Sequence, residues 1–165
     1  MRGIRLSARA AVTVVVSVLL AAGTAQAAPA KYARHADAAA QLKKAGITWT
    51  SSGKCSNRDK GTCTSFTKIN KATVSGIIAF KKASRCKVVV TAGSEKGHSP
   101  GTYSHWNGYK VDVSTRYSCT NNHITGTFKK AGKRGDGATL YKSPAGNIYA
   151  REGNHWDITY YNSKA

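Results

Sequence analysis

Two stretches of this chain, residues 103–112 and 152–157, bring two of its five histidines and three of its seven acidic residues into spacings that could ligate a metal or move a proton. A fold must bring them together before those groups can act jointly. The first reads Tyr103-Ser104-His105-Trp106-Asn107-Gly108-Tyr109-Lys110-Val111-Asp112, the second Glu152-Gly153-Asn154-His155-Trp156-Asp157. Residues 109–114 alternate as a half-buried strand does, with Tyr109, Val111 and Val113 on one face and Lys110, Asp112 and Ser114 on the other. Asp112 is thereby held rigidly at a cleft, opposite three apolar side chains. Asn107-Gly108 suits a turn between His105 and that strand. Residues 148–151 and 155–161 read as a hairpin joined by Glu152-Gly153-Asn154, so His155 approaches from a neighbouring strand.

The remaining pattern is mixed. Residues 37–44 are Ala-rich and stop near Gly46, which predicts a short helix. Asn70 or Thr73 can cap a second helix over 74–83, where Val74, Ile77 and Ile78 share a face. Residues 47–50 predict a short strand, the β-branched run 86–91 a central one, and 138–141 another. Segments 51–63 and 92–104 are loops, 144–147 is a turn, and 122–137 is basic and ambiguous. The sum is an α+β domain over 35–165, with a small antiparallel sheet and helices on one side. Residues 28–34 form a lead-in expected to be mobile.

Residues 1–27 read as an export signal: Arg2, Arg5 and Arg9, an apolar run from 10 to 22, then Ala25-Gln26-Ala27. The run is short for a span of ~20 residues, and the mature chain is expected to be soluble and monomeric, with no transmembrane segment. Loss of three arginines lowers the formal net charge from +19 to +16. The excess sits in doublets such as Lys43-Lys44, Lys81-Lys82 and Lys129-Lys130 and favours anionic surfaces, a cell wall among them. No basic helix, aromatic ladder or finger spacing points to specific nucleic-acid readout. Four cysteines in an exported chain predict two disulfides, and three pairings are open. Cys55–Cys63 is the natural local pair, which leaves Cys86–Cys119. No C-x₂-C spacing supports a zinc knuckle instead.

Catalytic zinc takes three nitrogen or carboxylate ligands and keeps one position open for water. His105, Asp112 and His155 supply such a set, and Glu152 is a candidate general base for that water. Spacing alone equally allows a loop histidine, a strand-end ion-pair partner and a simple turn.

With Glu152-x-x-His155, the run Ser104-His105-x-x-Gly108-x-x-x-Asp112 resembles the zinc D-Ala-D-Ala carboxypeptidase/dipeptidase family, whose fold is shared with the Hedgehog signalling domain. The stretch Val90-Thr91-Ala92-Gly93-Ser94-Glu95-Lys96-Gly97-His98, running into Gly101-Thr102-Tyr103-Ser104-His105, looks like a branch found in secreted actinobacterial and phage proteins. The resemblance implies one zinc per chain, held by His105, Asp112 and His155, with Glu152 as catalytic base. Three departures stand out. Tyr103 occupies the family serine position, Lys110 replaces a small alanine, and no residue matches the peptidases' substrate-binding arginine.

The expected function is therefore a secreted zinc peptidase acting on peptidoglycan stem peptides or cross-links. Its rivals are a non-catalytic wall- or partner-binding domain of the same fold and a basic metal-dependent nuclease or toxin. His98 is a further catalytic candidate, able to contact a substrate carbonyl or reach the metal, or else a loop histidine bonded to backbone. Lys96 and Arg151 are candidates for a substrate carboxylate, or solvated charges; Tyr103 is a further substrate-contact candidate. Asp157 is expected to orient a ligand histidine.

Overall fold

The computed structural model describes residues 28 and 30–161; the export signal expected over 1–27 lies outside the described residues. The elements run α1 (His35–Lys44), β1 (Thr48–Trp49), α2 (Lys71–Ser84), β2 (Val89–Ala92), β3 (Lys110–Ser114), α3 (Ser118–Thr127), β4 (Lys129–Lys133), β5 (Thr139–Lys142), β6 (Ile148–Arg151) and β7 (His155–Thr159). Seven strands form one sheet in the order β1-β2-β3-β7-β6-β5-β4. The α+β class stands, but the sheet is larger than expected and not wholly antiparallel, because β1 and β2 run parallel. The run at 86–91, expected to be central, supplies β2, one strand in from the edge. The centre is β7, whose residues are buried from Trp156 to Thr159.

Strand alternation sets the two faces. Val111 and Val113 of β3, Trp156 and Ile158 of β7 and Tyr149 of β6 point into one core cluster. All three helices contribute to it, through Ala38, Ala39 and Leu42, then Val74, Ile77 and Phe80, then Ile124. α1 is helped by Asp37 in its first turn and Lys43 and Lys44 in its last, which complement the helix dipole. α2 starts three residues before the expected 74, with Asn70 at the cap position but no hydrogen bond from its side chain. Thr73 Oγ1 instead donates to the Gly108 carbonyl at 2.8 Å. That bond ties α2 to the turn that carries His105.

The segment 118–133 shows why its sequence is ambiguous. α3 buries only Thr120 and Ile124 and is held by tertiary bonds rather than propensity. Cys119 is bonded to Cys86, Thr120 Oγ1 donates to Lys87 O at 2.9 Å, and Asn121 Oδ1 accepts from Trp156 Nε1 at 2.9 Å. β4 is an edge strand with every residue exposed, so it carries no apolar alternation; its lysines suit an unpaired edge. The second disulfide is Cys55–Cys63, as expected from its short loop.

The lead-in is not free. Tyr32 N donates to Ile69 O, Lys68 N to Tyr32 O and Lys71 N to Ala30 O, at 2.8–2.9 Å. Among the described residues, no helix is long and apolar enough to cross a membrane.

Candidate metal centre

The face of the sheet away from the helices carries the candidate ligands. Register pairs Asp112 with Asp157 and Ser114 with His155, so β3 and β7 present Asp112, His155 and Asp157 side by side. Residues 93–109 fold over them. Gly108 closes the turn with φ +80°, and its N–H donates to His105 O at 2.8 Å. A Cβ at that position would sit 2.6 Å from Lys68 O and 2.8 Å from Asn70 N, so only glycine fits. Gly93 is required for a different reason: any Cβ there would collide with the Ser65 carbonyl.

His105 is buried, and its Nδ1 bonds Gly93 O at 2.6 Å. A carbonyl only accepts, so Nδ1 carries a proton, which leaves Nε2 as the atom a metal could take. His105 Nε2 lies 3.2 Å from Asp112 Oδ1 and 3.8 Å from Asp157 Oδ1. His155 Nε2 faces the other Asp112 oxygen at 3.5 Å and Glu152 Oε2 at 3.2 Å. The His98 ring stacks on His105 with centroids 3.9 Å apart. Ligand atoms of His98, His105 and Asp112 all lie within 4.8 Å of one another, and together they could hold a metal ion.

The donor set suits a cation. Asp112 Oδ1 and Asp157 Oδ1 are buried without a hydrogen-bond partner, although imidazole nitrogen is close by. Uncompensated buried carboxylate oxygens are costly, and a bound cation would satisfy them. Burial alone would lower the His105 pKa, yet contact with Asp112 raises it above the ordinary value. Burial likewise opposes the charged form of Asp112, but His105, then His155 and His98, hold its carboxyl below the usual range. The two shifts are one attraction seen from its two partners, strong enough to outweigh burial at both.

Three residues of the site escaped the sequence reading. Glu95, 2 % exposed, accepts from Ser65 N at 2.7 Å and from Gly93 N at 3.0 Å, and its Oε1 lies 3.5 Å from His98 Nε2. It anchors the N–H of Gly93, the residue whose carbonyl orients His105, and contacts the ring that stacks on His105. Arg134, at the end of β4, reaches in to Asp157 Oδ2 at 2.8 Å and bonds Glu152 Oε1 and Asp136. Lys110, noted only as a replacement for alanine, meets Asp157 Oδ2 at 2.6 Å. Asp157 is thus tied mainly to two cations, with His105 a more distant neighbour.

The other candidates separate. Tyr103 is exposed and meets Tyr161 edge-on at 4.8 Å, beside the site. Lys96 pairs with Asp59 at 3.0 Å and lies 5.6 Å from the Trp106 ring. Arg151 pairs across the sheet with Trp156, its guanidinium lying over that indole and donating to Glu152 O at 2.6 Å, so it occupies the helix side and caps the β6–β7 turn. A cavity of about 500 Å³ on the helix side, lined by Phe80, Phe128, Tyr149 and Tyr160, is the more apolar one but gathers no acid–base pair. No family model, curated protein or solved structure matches this chain.

Proposed function

We propose that the protein is a secreted zinc peptidase that hydrolyses amide bonds in peptidoglycan stem peptides or cross-links. His105, Asp112 and His155 would hold the metal. The observation that carries the reading is the Asp112 carboxylate, set between the Nε2 atoms of two histidines at 3.2 and 3.5 Å with Glu152 beside the second. Zinc, when bound, supplies Lewis acidity toward a carbonyl and toward water. Glu152 takes the proton from the attacking water and returns it to the leaving amine nitrogen. Arg134 engages Glu152 Oε1, which leaves Oε2 as the proton-accepting atom. Gly93 O holds the proton on His105 Nδ1, and Glu95 anchors Gly93 through its N–H. The formal net charge, +16 without the three arginines of residues 1–27, favours residence on an anionic wall, a role separate from hydrolysis.

The test is digestion of purified sacculi by the zinc-loaded chain and by Glu152→Ala, with nucleic acid as a parallel substrate. New amino termini are expected from wall material, falling about 10²–10⁴-fold in the variant while metal content stays at wild-type level. Unchanged wall hydrolysis in Glu152→Ala, or cleavage of nucleic acid alone, would refute the proposal.

A further inference from the structure

The open face of the sheet is laid out in two rows that lead away from the candidate centre. Residues paired across strands share a face. Register therefore sets Lys110, Thr159, Ile148, Lys142 and Lys129 in one line across β3, β7, β6, β5 and β4. The adjacent line holds Asp112, Asp157, Ala150 and Leu140. Parts of both lines floor a cavity of about 360 Å³, bordered by Pro100, Tyr103, Arg134 and Tyr161. Its inner end lies at Lys110 and Arg134, both tied to Asp157. Its middle is apolar, through Ala150, Leu140 and Ile148. The row then continues into Lys142 and Lys129, both exposed.

Those two lysines are direct cross-strand partners. Like charges in that relation repel and destabilise the pair. Among the described residues neither has an acidic partner within ion-pair distance, whereas the cations nearer the centre, Lys110 and Arg134, do. An anion across Lys129 and Lys142 would relieve the repulsion. The apolar floor before them argues against a polymer charged at every repeat, which would set charge on Ile148 and Leu140.

We propose that this groove binds an extended peptide whose small apolar residues lie over Ala150, Leu140 and Ile148 and whose carboxylate is paired by Lys142 and Lys129. The proposal rests on the peptidase reading of the site. From β7 the charged end of the groove is two to three strand spacings away, ~10–14 Å, which an extended chain covers in about three or four residues. The carboxylate therefore sits that far from the bond to be cut.

The test separates binding from turnover. Zinc-loaded Glu152→Gln chain is titrated calorimetrically with tetra-alanine peptides blocked at both ends and carrying one terminal glutamate or glutamine, at either end in turn. In one of the two orientations the glutamate peptide should bind about fivefold tighter than its glutamine counterpart, the scale of two exposed ion pairs. That preference should vanish when Lys129→Gln and Lys142→Gln are added, and persist with Lys43→Gln and Lys44→Gln, which remove the same charge from α1. No preference in either orientation, or equal loss in the α1 control, would overturn the groove. Hydrolysis of sacculi by the wild-type chain is scored separately. Preference without hydrolysis sinks the peptidase reading alone, and hydrolysis without preference sinks the groove alone.

Discussion

Replacing Glu95 should damage stability and the candidate metal site together, because one buried carboxylate supports both. Its oxygens accept from Ser65 N at 2.7 Å and from Gly93 N at 3.0 Å, inside a site only 2 % exposed. Hydrogen bonds to a charged acceptor contribute about 1.5–3 kcal/mol each, and a buried donor left alone costs about 1–3 kcal/mol. Glu95→Ala strips the acceptor from both backbone N–H groups and should cost about 3–5 kcal/mol. Glu95→Gln keeps one oxygen. Turned so that this oxygen takes the Oε2 place, it keeps Ser65 N and the Oε2 arm of the shared Gly93 N bond but sets its amide NH₂ against the Gly93 N–H, so the cost is smaller, about 1–2 kcal/mol. Urea unfolding of the zinc-free proteins, followed by tryptophan fluorescence, reads both values from the midpoint at constant m. Because Gly93 O orients His105, zinc affinity of Glu95→Gln should fall about 10–100-fold, as expected when a partner of a metal ligand is removed. An alanine variant within about 0.5 kcal/mol of wild type, or a glutamine variant as costly as alanine, would refute the reasoning.

Other perturbations have outcomes of definite sign. Gly108→Ala forces a side chain into a φ of +80° and to 2.6 Å from Lys68 O; thermal melts should show a loss of about 3 kcal/mol, from left-handed strain plus overpacking. His35 stacks on Phe66 and accepts the Phe66 N–H at Nδ1, and burial holds its pKa below the ordinary value. A depressed folded pKa means that its contribution is complete above the unfolded value near 6.5 and is lost as pH falls through the folded one. Stability measured from pH 7 to 5 should therefore decline less steeply in His35→Phe than in wild type. Arg134→Ala frees Glu152 and leaves Asp157 to Lys110; wall hydrolysis should drop about 10–100-fold with zinc content unchanged, and full activity would remove Arg134 from the account.

Much of the fold was legible where pattern and packing agree. The alternation at 109–114 is β3, and its apolar residues Val111 and Val113 are core. The Glu152-Gly153-Asn154 turn joins β6 to β7, and 148–151 needed no revision. What failed had no local signal. α3 is polar and depends on Cys119, Thr120 and Asn121 finding partners far along the chain, while β4 is an exposed edge with no buried side to alternate against. With α3 and β4 unread, the approach of Arg134 was out of reach.

The candidate site was read through its histidines, yet a second signal lay in the scarcity of acids. The chain has seven Asp and Glu against 26 Lys and Arg. Five of the seven, Glu95, Asp112, Asp136, Glu152 and Asp157, gather at or next to the site, and the other two pair with Arg34 and Lys96 at the surface. In so basic a chain an acid is kept for a reason, and Glu95 was findable on that ground. Its bond from Ser65 N was not, because it depends on a loop at 65 meeting the loop at 93.

Elemental analysis of the purified chain, alone and as His105→Ala, tests the central claim most directly. The account predicts one zinc per chain in the wild type and none in the variant, with both proteins folded by circular dichroism. A wild-type protein that carries no metal and takes up none from added zinc, or a variant that retains its zinc, would contradict it.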